Sequence, residues 1–153
     1  MGLEGFRSDN SNSGPEYPEE AAVEKMVVEY FQEDFQEVFG DDNHGKDIPD
    51  VIAKDGDTIW GVEVKGDAKS NKQRIYSAVG QVIYEMGADS INSDNIKWGI
   101  AFPESIDSRK QYRDRINENI SKEILDMLNI YVLFVTENGK VDVIPPGGIG
   151  AKS

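Results

Sequence analysis

The sequence predicts an α/β domain with a central mixed sheet flanked by helices, and three observations carry that prediction. Residues 48–65 form two Val/Ile-rich arms around Asp55-Gly56, a tight-hairpin signal. Further along, apolar residues at helical spacing alternate with short β-branched and aromatic runs, as in strands joined by crossover helices. A second hairpin is marked by Asn138-Gly139, between residues 130–135 and 141–144.

The chain has 153 residues, 38% hydrophobic and 29% charged, which fits one globular domain. Residues 17–146 are expected to form it, with flexible tails at 1–16 and 147–153. No apolar run approaches a membrane span and the first residues lack a signal-peptide pattern, so no membrane and a cytoplasmic setting are expected. The absence of cysteine excludes disulfides, zinc-thiolate sites, iron-sulfur clusters and thiol catalysis.

In chain order, a helix is expected from Pro18 to about Phe39, with Val23, Val27, Tyr30 or Phe31, Phe35 and Val38 at helical spacing. Glu24 lies one residue off this stripe, at the edge of the core. Residues 40–47 form a polar loop without the spacing of a calcium-binding loop; it carries the single histidine, His44, read as a plain loop residue. After the first hairpin, a helix over 71–86 turns Ile75, Ala78 or Val79, Val82 or Ile83, and Met86 to the sheet. Its flank carries Arg74, Ser77, Gln81 and Tyr84. Residues 96–102 form a strand ended by Pro103. Residues 109–128 form a helix with Tyr112, Ile116, Ile120, Ile124 and Leu128 at four-residue steps.

The first hairpin gathers the chemistry. Side chains alternate along a strand, so Trp60, Val62 and Val64 share a face to be buried, while Gly61, Glu63 and Lys65 share the other. A two-residue loop at Asp55-Gly56 places Asp50 opposite Gly61, on the Glu63/Lys65 face, with room for an ion. A three-residue loop without a bulge sends Asp50 to the wrong face. Two carboxylates and an ammonium at a strand end suit phosphodiester hydrolysis: hard oxygen ligands favour Mg²⁺, and a lysine stabilises developing negative charge.

Pro49-Asp50, twelve intervening residues, then Glu63-Val64-Lys65 resembles the signature of the PD-(D/E)XK nuclease superfamily, which includes restriction endonucleases and archaeal Holliday-junction resolvases. The resemblance implies a restriction-endonuclease-like αβββαβ core, whose first strand is hard to place here and falls to a short piece near Val38 and Phe39. It implies Mg²⁺, with Mn²⁺ as a substitute, held by Asp50, Glu63 and the Val64 carbonyl, with Lys65 assisting catalysis. It assigns Glu24 on the first helix to the metal site, directly or through water, with Glu20 as rival. It also assigns Gln81 to phosphate or solvent; the RecB-type pattern Gln-x-x-x-Tyr is departed from, since Tyr84 follows Gln81 by three.

The expected activity is a metal-dependent endonuclease hydrolysing DNA; the alternative is a non-catalytic DNA- or protein-binding module on the same scaffold. A net charge of −13 runs against a generic nucleic-acid binder. Residues 1–50 account for −11 of it, leaving −2 for the rest, and suit a protein partner. Lys65, Lys69, Lys72 and Arg74, or Arg109, Lys110, Arg113 and Arg115, either border a DNA groove or form solvated helix faces. Lys69, Lys72, Arg74 and Tyr84 are the candidate DNA contacts. A homodimer is expected of so compact a nuclease core.

Overall fold

The structure is a computed structural model that describes residues 16–40, 49–67, 71–87, 96–104, 112–113, 116 and 122–148. Lys69, His44, Arg109, Lys110, Arg115, most of both expected tails and the 41–48 loop lie outside the described residues. The elements run α1 (Glu20–Gln32), β1 (Glu37–Phe39), β2 (Val51–Asp55), β3 (Thr58–Val64), α2 (Asn71–Gly87), β4 (Ile96–Pro103), α3 (Lys122–Leu128), β5 (Ile130–Val135) and β6 (Val141–Ile144). Among the described residues, six strands form one mixed sheet in chain order. The β3/β4 and β4/β5 pairs are parallel, and the other three are antiparallel.

Each face of the sheet has its own core. On one side Val23, Val27 and Phe31 of α1 pack on Val51, Ala53, Trp60, Val62 and Val64. On the other, Ile75, Ala78 and Val82 of α2 join Tyr112, Ile116 and Leu125 over Ile100, Phe102, Ile130 and Phe134. The Trp60/Val62/Val64 face is buried as its pattern predicts. The opposite face of β3 is buried too, with Gly61 and Glu63 both covered. Central strands between two helical layers lose their polar side.

The first hairpin turns one residue later than expected. Asp55 pairs with Thr58, so the turn is Gly56-Asp57, and of these two only Gly56 has positive φ, at 62°. Glycine thus occupies the first turn position rather than the second. The register moves by two residues: Gly61 pairs with Ile52, and Asp50 comes level with Glu63. An even shift preserves the face, so Asp50 stays with Glu63. The space over Gly61 does not await an ion, because the Trp98 ring and Pro49 close to within 3.0 and 3.1 Å of where its Cβ would be.

Two helical readings are also corrected. The first helix stops at Gln32 rather than near Phe39, and residues 37–39 pair with β2 as an edge strand, where the fallback reading placed it. The apolar repeat runs on because Phe35 packs edge-on against Phe31, at 5.3 Å between rings, so the pattern does not mark the helix end. In the last helical region Ile124 is exposed, and Leu125 enters the core instead. Leu128, the last of the four-residue series, stays partly buried against the same core, and Ile120 lies outside the described residues.

Where β3 ends, Gly66 meets the start of α1. A Cβ there would press on the Glu20 backbone nitrogen and come within 2.8 Å of its Cα, and neither atom can rotate away. Gly66→Ala is therefore expected to cost about 1–3 kcal/mol, the range for overpacking, and to lower Tm by several degrees in a circular-dichroism melt. Gly80→Ala, on α2 with nothing within 4 Å of the added carbon, is expected to raise Tm. Equal melting of Gly66→Ala and wild type would show that α1 is not seated on this turn.

Candidate functional site

The site lies where β3 runs out of the sheet. Backbone N–H groups point alternately to the two neighbouring strands. Lys65 N–H continues the parallel pairing by donating to Ala101 O at 2.9 Å. Val64 N–H faces the β2 side and donates to Asp50 Oδ2, also at 2.9 Å. Asp50 thus takes over where β2 begins, its carboxylate held against the peptide that joins Glu63 to Val64.

Glu63 is only 2% exposed, on the face covered by α2. Its carboxyl hydrogen-bonds with Glu85 of α2, itself 5% exposed. Two residues on, buried Lys65 donates from Nζ to Gln81 Oε1, one helical turn before Glu85. Strand and helix run antiparallel here, and their repeats agree: two strand residues advance about 6.7 Å and four helical residues about 6 Å. The pairs Glu63/Glu85 and Lys65/Gln81 therefore form successive rungs.

Burial first, then the hydrogen bond with Glu85 and the Asp50 and Glu85 charges, push the Glu63 carboxyl from 4.5 to about 10, against the opposing pull of Lys65. Glu63 Oε2 and Glu85 Oε1 both lie out of contact with solvent. Tyr112 supports the strand end from below, donating to Gly66 O at 2.7 Å and stacking on Phe102 at 4.4 Å between rings.

The sequence-derived residues divide as follows. Asp50, Glu63, Lys65 and Gln81 converge. Glu24 is half-buried and its Oε2 reaches toward Gly40, 3.8 Å from where a Cβ would be. Continuing the β1/β2 register puts Gly40 level with Val51, so Glu24 stands at the Asp50 end of the sheet. Glu20 is exposed at the start of α1. Arg74 is half-buried, and its charge bears on the Tyr112 phenol. Lys72 lies half a turn round the helix from Gln81, with Nζ 5.9 Å from the Tyr76 ring centre. Tyr84 is 64% exposed. Arg113 is engaged by Glu104 and Asp142, at 2.7 and 2.8 Å.

Glu85 is the residue that sequence reasoning missed. The stripe through Tyr84 follows the outer flank of α2, whereas the site-facing position one turn after Gln81 is four residues on. A glutamate at i+4 from a candidate glutamine, on a helix following the strand, was the available signal.

Chemically, Asp50 and Glu63 offer hard oxygens suited to a divalent cation. Among the described residues no three His, Asp or Glu side chains are gathered closely enough to hold a metal, so a cation here needs the Val64 carbonyl, water or a substrate oxygen as well.

Because the folded protein holds the Glu63 proton more tightly than the unfolded chain, this group's contribution is full below pH 4.5 and falls as pH rises toward about 10. In EDTA, wild-type stability is expected to decline across that window, by at most about 1.4 kcal/mol per pH unit from one proton. Glu63→Gln should flatten the decline in denaturant melts at successive pH values; an unchanged slope would place the proton elsewhere. Comparison with protein-family models, curated proteins and solved structures gives no match.

Proposed function

We propose that the chain is a metal-dependent endonuclease of the PD-(D/E)XK type, hydrolysing DNA phosphodiester bonds. The observation that carries this reading is the common placement of Asp50 and Glu63, one carboxylate anchored on Val64 N–H and the other buried beneath α2, directly before Lys65. The order of elements α1-β1-β2-β3-α2-β4 supports the restriction-endonuclease-like core.

Asp50 and Glu63 would hold Mg²⁺ or Mn²⁺ with the Val64 carbonyl. When bound, the cation supplies Lewis-acid polarisation of the phosphoryl group and acidifies a water. Lys65 brings a cation beside the carboxylates, where it stabilises negative charge developing on phosphate oxygens and orients the attacking water. Gln81 fixes the direction of the Lys65 ammonium through its amide oxygen. Glu24, at the Asp50 end of the sheet, assists through water. Burial of Lys65 keeps bulk solvent from screening its charge.

Purified protein is expected to cleave supercoiled or branched DNA with Mg²⁺ or Mn²⁺ and not with EDTA, as read on gels. Asp50→Ala and Lys65→Ala should each lose activity by at least about a hundredfold. Residual cleavage at wild-type level in both variants would identify a contaminant and overturn the reading. Wild-type protein inert on supercoiled, branched and single-stranded DNA would leave a non-catalytic module.

A further inference from the structure

The outer surface of α2 departs from the rest of the chain. A helix face turned from the core is normally charged, and 29% of this sequence is charged. Yet Lys72 is the only charge among the exposed residues described on α2; the others, with Tyr76 and Ile83 each 48% exposed, are uncharged. Of the six large hydrophobics exposed among the described residues, five lie on α2 and α3, and only Phe39 lies elsewhere. Apolar surface gathered on one side of a molecule marks an interaction face. Gln81 faces Lys65 on β3, so Tyr76 and Ile83, about half a turn round α2 from it, face the β4/β5 side, where α3 packs. There Met127 of α3 is 81% exposed, while Asp126 reaches away toward the Gly147 turn.

Two features say what covers this face. Lys72, Tyr76, Ile83 and Gly87 follow one another at steps of four, seven and four, all within about a sixth of a turn, a spacing that reads the same in either direction. Pairing across a twofold axis needs that symmetry: where Tyr76 meets the partner's Ile83, Ile83 meets the partner's Tyr76 and Lys72 meets the partner's Gly87. The second feature is charge. α2 has no acid in its first turn and no base in its last, so neither pole of its dipole is offset on the helix itself. Lys72 sits at the pole that repels it, and an antiparallel copy carries its ammonium to the pole that attracts it.

We propose that the chain forms a twofold dimer through this face, α2 packing antiparallel on the partner's α2, with the axis level with Val79 and Gly80 and Met127 at the margin. The seam is open to a partner, since a Cβ added at Gly80 or Gly87 meets nothing within 4 Å. Gln81 and Arg74 lie on the opposite flank, so both copies keep the Lys65 side of α2 open to DNA. The dimer does not depend on the nuclease reading.

Sedimentation velocity of the full chain over a concentration series should show a monomer–dimer equilibrium. Ile83→Glu, which sets an acid against the partner's Tyr76, should weaken it about tenfold or more. Phe39→Glu, a control outside this layer, should leave it unchanged. Wild-type protein that stays monomeric throughout would give the face to a different protein and overturns the proposal, as does Ile83→Glu dimerising like wild type or Phe39→Glu abolishing the dimer. The axis is tested by crosslinking: the chain has no cysteine, so a single introduced thiol can join only to another copy's. Both test positions are open, so the substitutions leave folding intact. Gly80→Cys should give a disulfide-linked dimer on oxidation. Gly87→Cys, about 11 Å along the helix from the axis and so about 22 Å from its copy, should not. Equal crosslinking at the two positions would mean parallel packing and sinks the antiparallel register; no crosslink at Gly80→Cys has the same consequence.

Discussion

The bond from Val64 N–H to the Asp50 carboxylate is the joint on which the remaining arrangement turns. Along β3 the amides alternate between β2 and β4, and beyond the start of β2 the Val64 amide needs a new acceptor. A side-chain oxygen supplies it. The same bond closes the β2/β3 ladder and settles where Asp50 points, so sheet pairing and carboxylate placement are one event. The register matters because any odd slip would carry Asp50 to the α1 side, away from Glu63.

A site of this composition works against stability. Glu63, Glu85 and Lys65 are all buried, and three ionisable groups out of water are unfavourable unless they share protons and hydrogen bonds. The chain answers with two apolar layers, one on each face. Trp60 and Trp98 are accommodated on opposite faces by glycines on the neighbouring strands, Gly99 and Gly61. Close packing around β3 and β4 gives the rungs between β3 and α2 a rigid base. Glu63 and Lys65 keep their positions because the strand beneath them cannot adjust.

The parts of this arrangement legible in the sequence were those governed by parity and period. Alternation placed Trp60, Val62 and Val64 on one face and Glu63 on the other, and that survived a two-residue change in register because face depends only on odd or even spacing. The exact turn was not legible, since Asp-Gly-Asp offers glycine as either the second residue of one turn or the first of the next. The end of α1 was hidden because Phe35 and Val38 satisfy helical spacing while one packs beyond the helix and the other belongs to a strand. Glu85 was hidden for a different reason. Whether a glutamate faces a core depends on where the helix meets the sheet, and hydrophobic periodicity reads an acid there as solvent-facing.

Charge is distributed by layer, which bears on how an acidic chain could work on a polyanion. Glu19, Glu20, Glu29, Glu33, Asp34 and Glu37 belong to α1 and its flanks, on one side of the sheet. On the other side α2 carries Lys72 and Arg74, and its single acid, Glu85, is buried against Glu63. The two helical layers are about 20 Å apart, taking about 10 Å for each packed layer. That is twice the screening length of about 10 Å at 0.1 M salt. A phosphate backbone approaching along α2 would therefore meet mainly the charges of that layer and of the strand end. The net charge of the whole chain is a poor guide to the field at Lys65: the acids that dominate it lie behind the sheet, and those beside Lys65 are the ones a cation would neutralise.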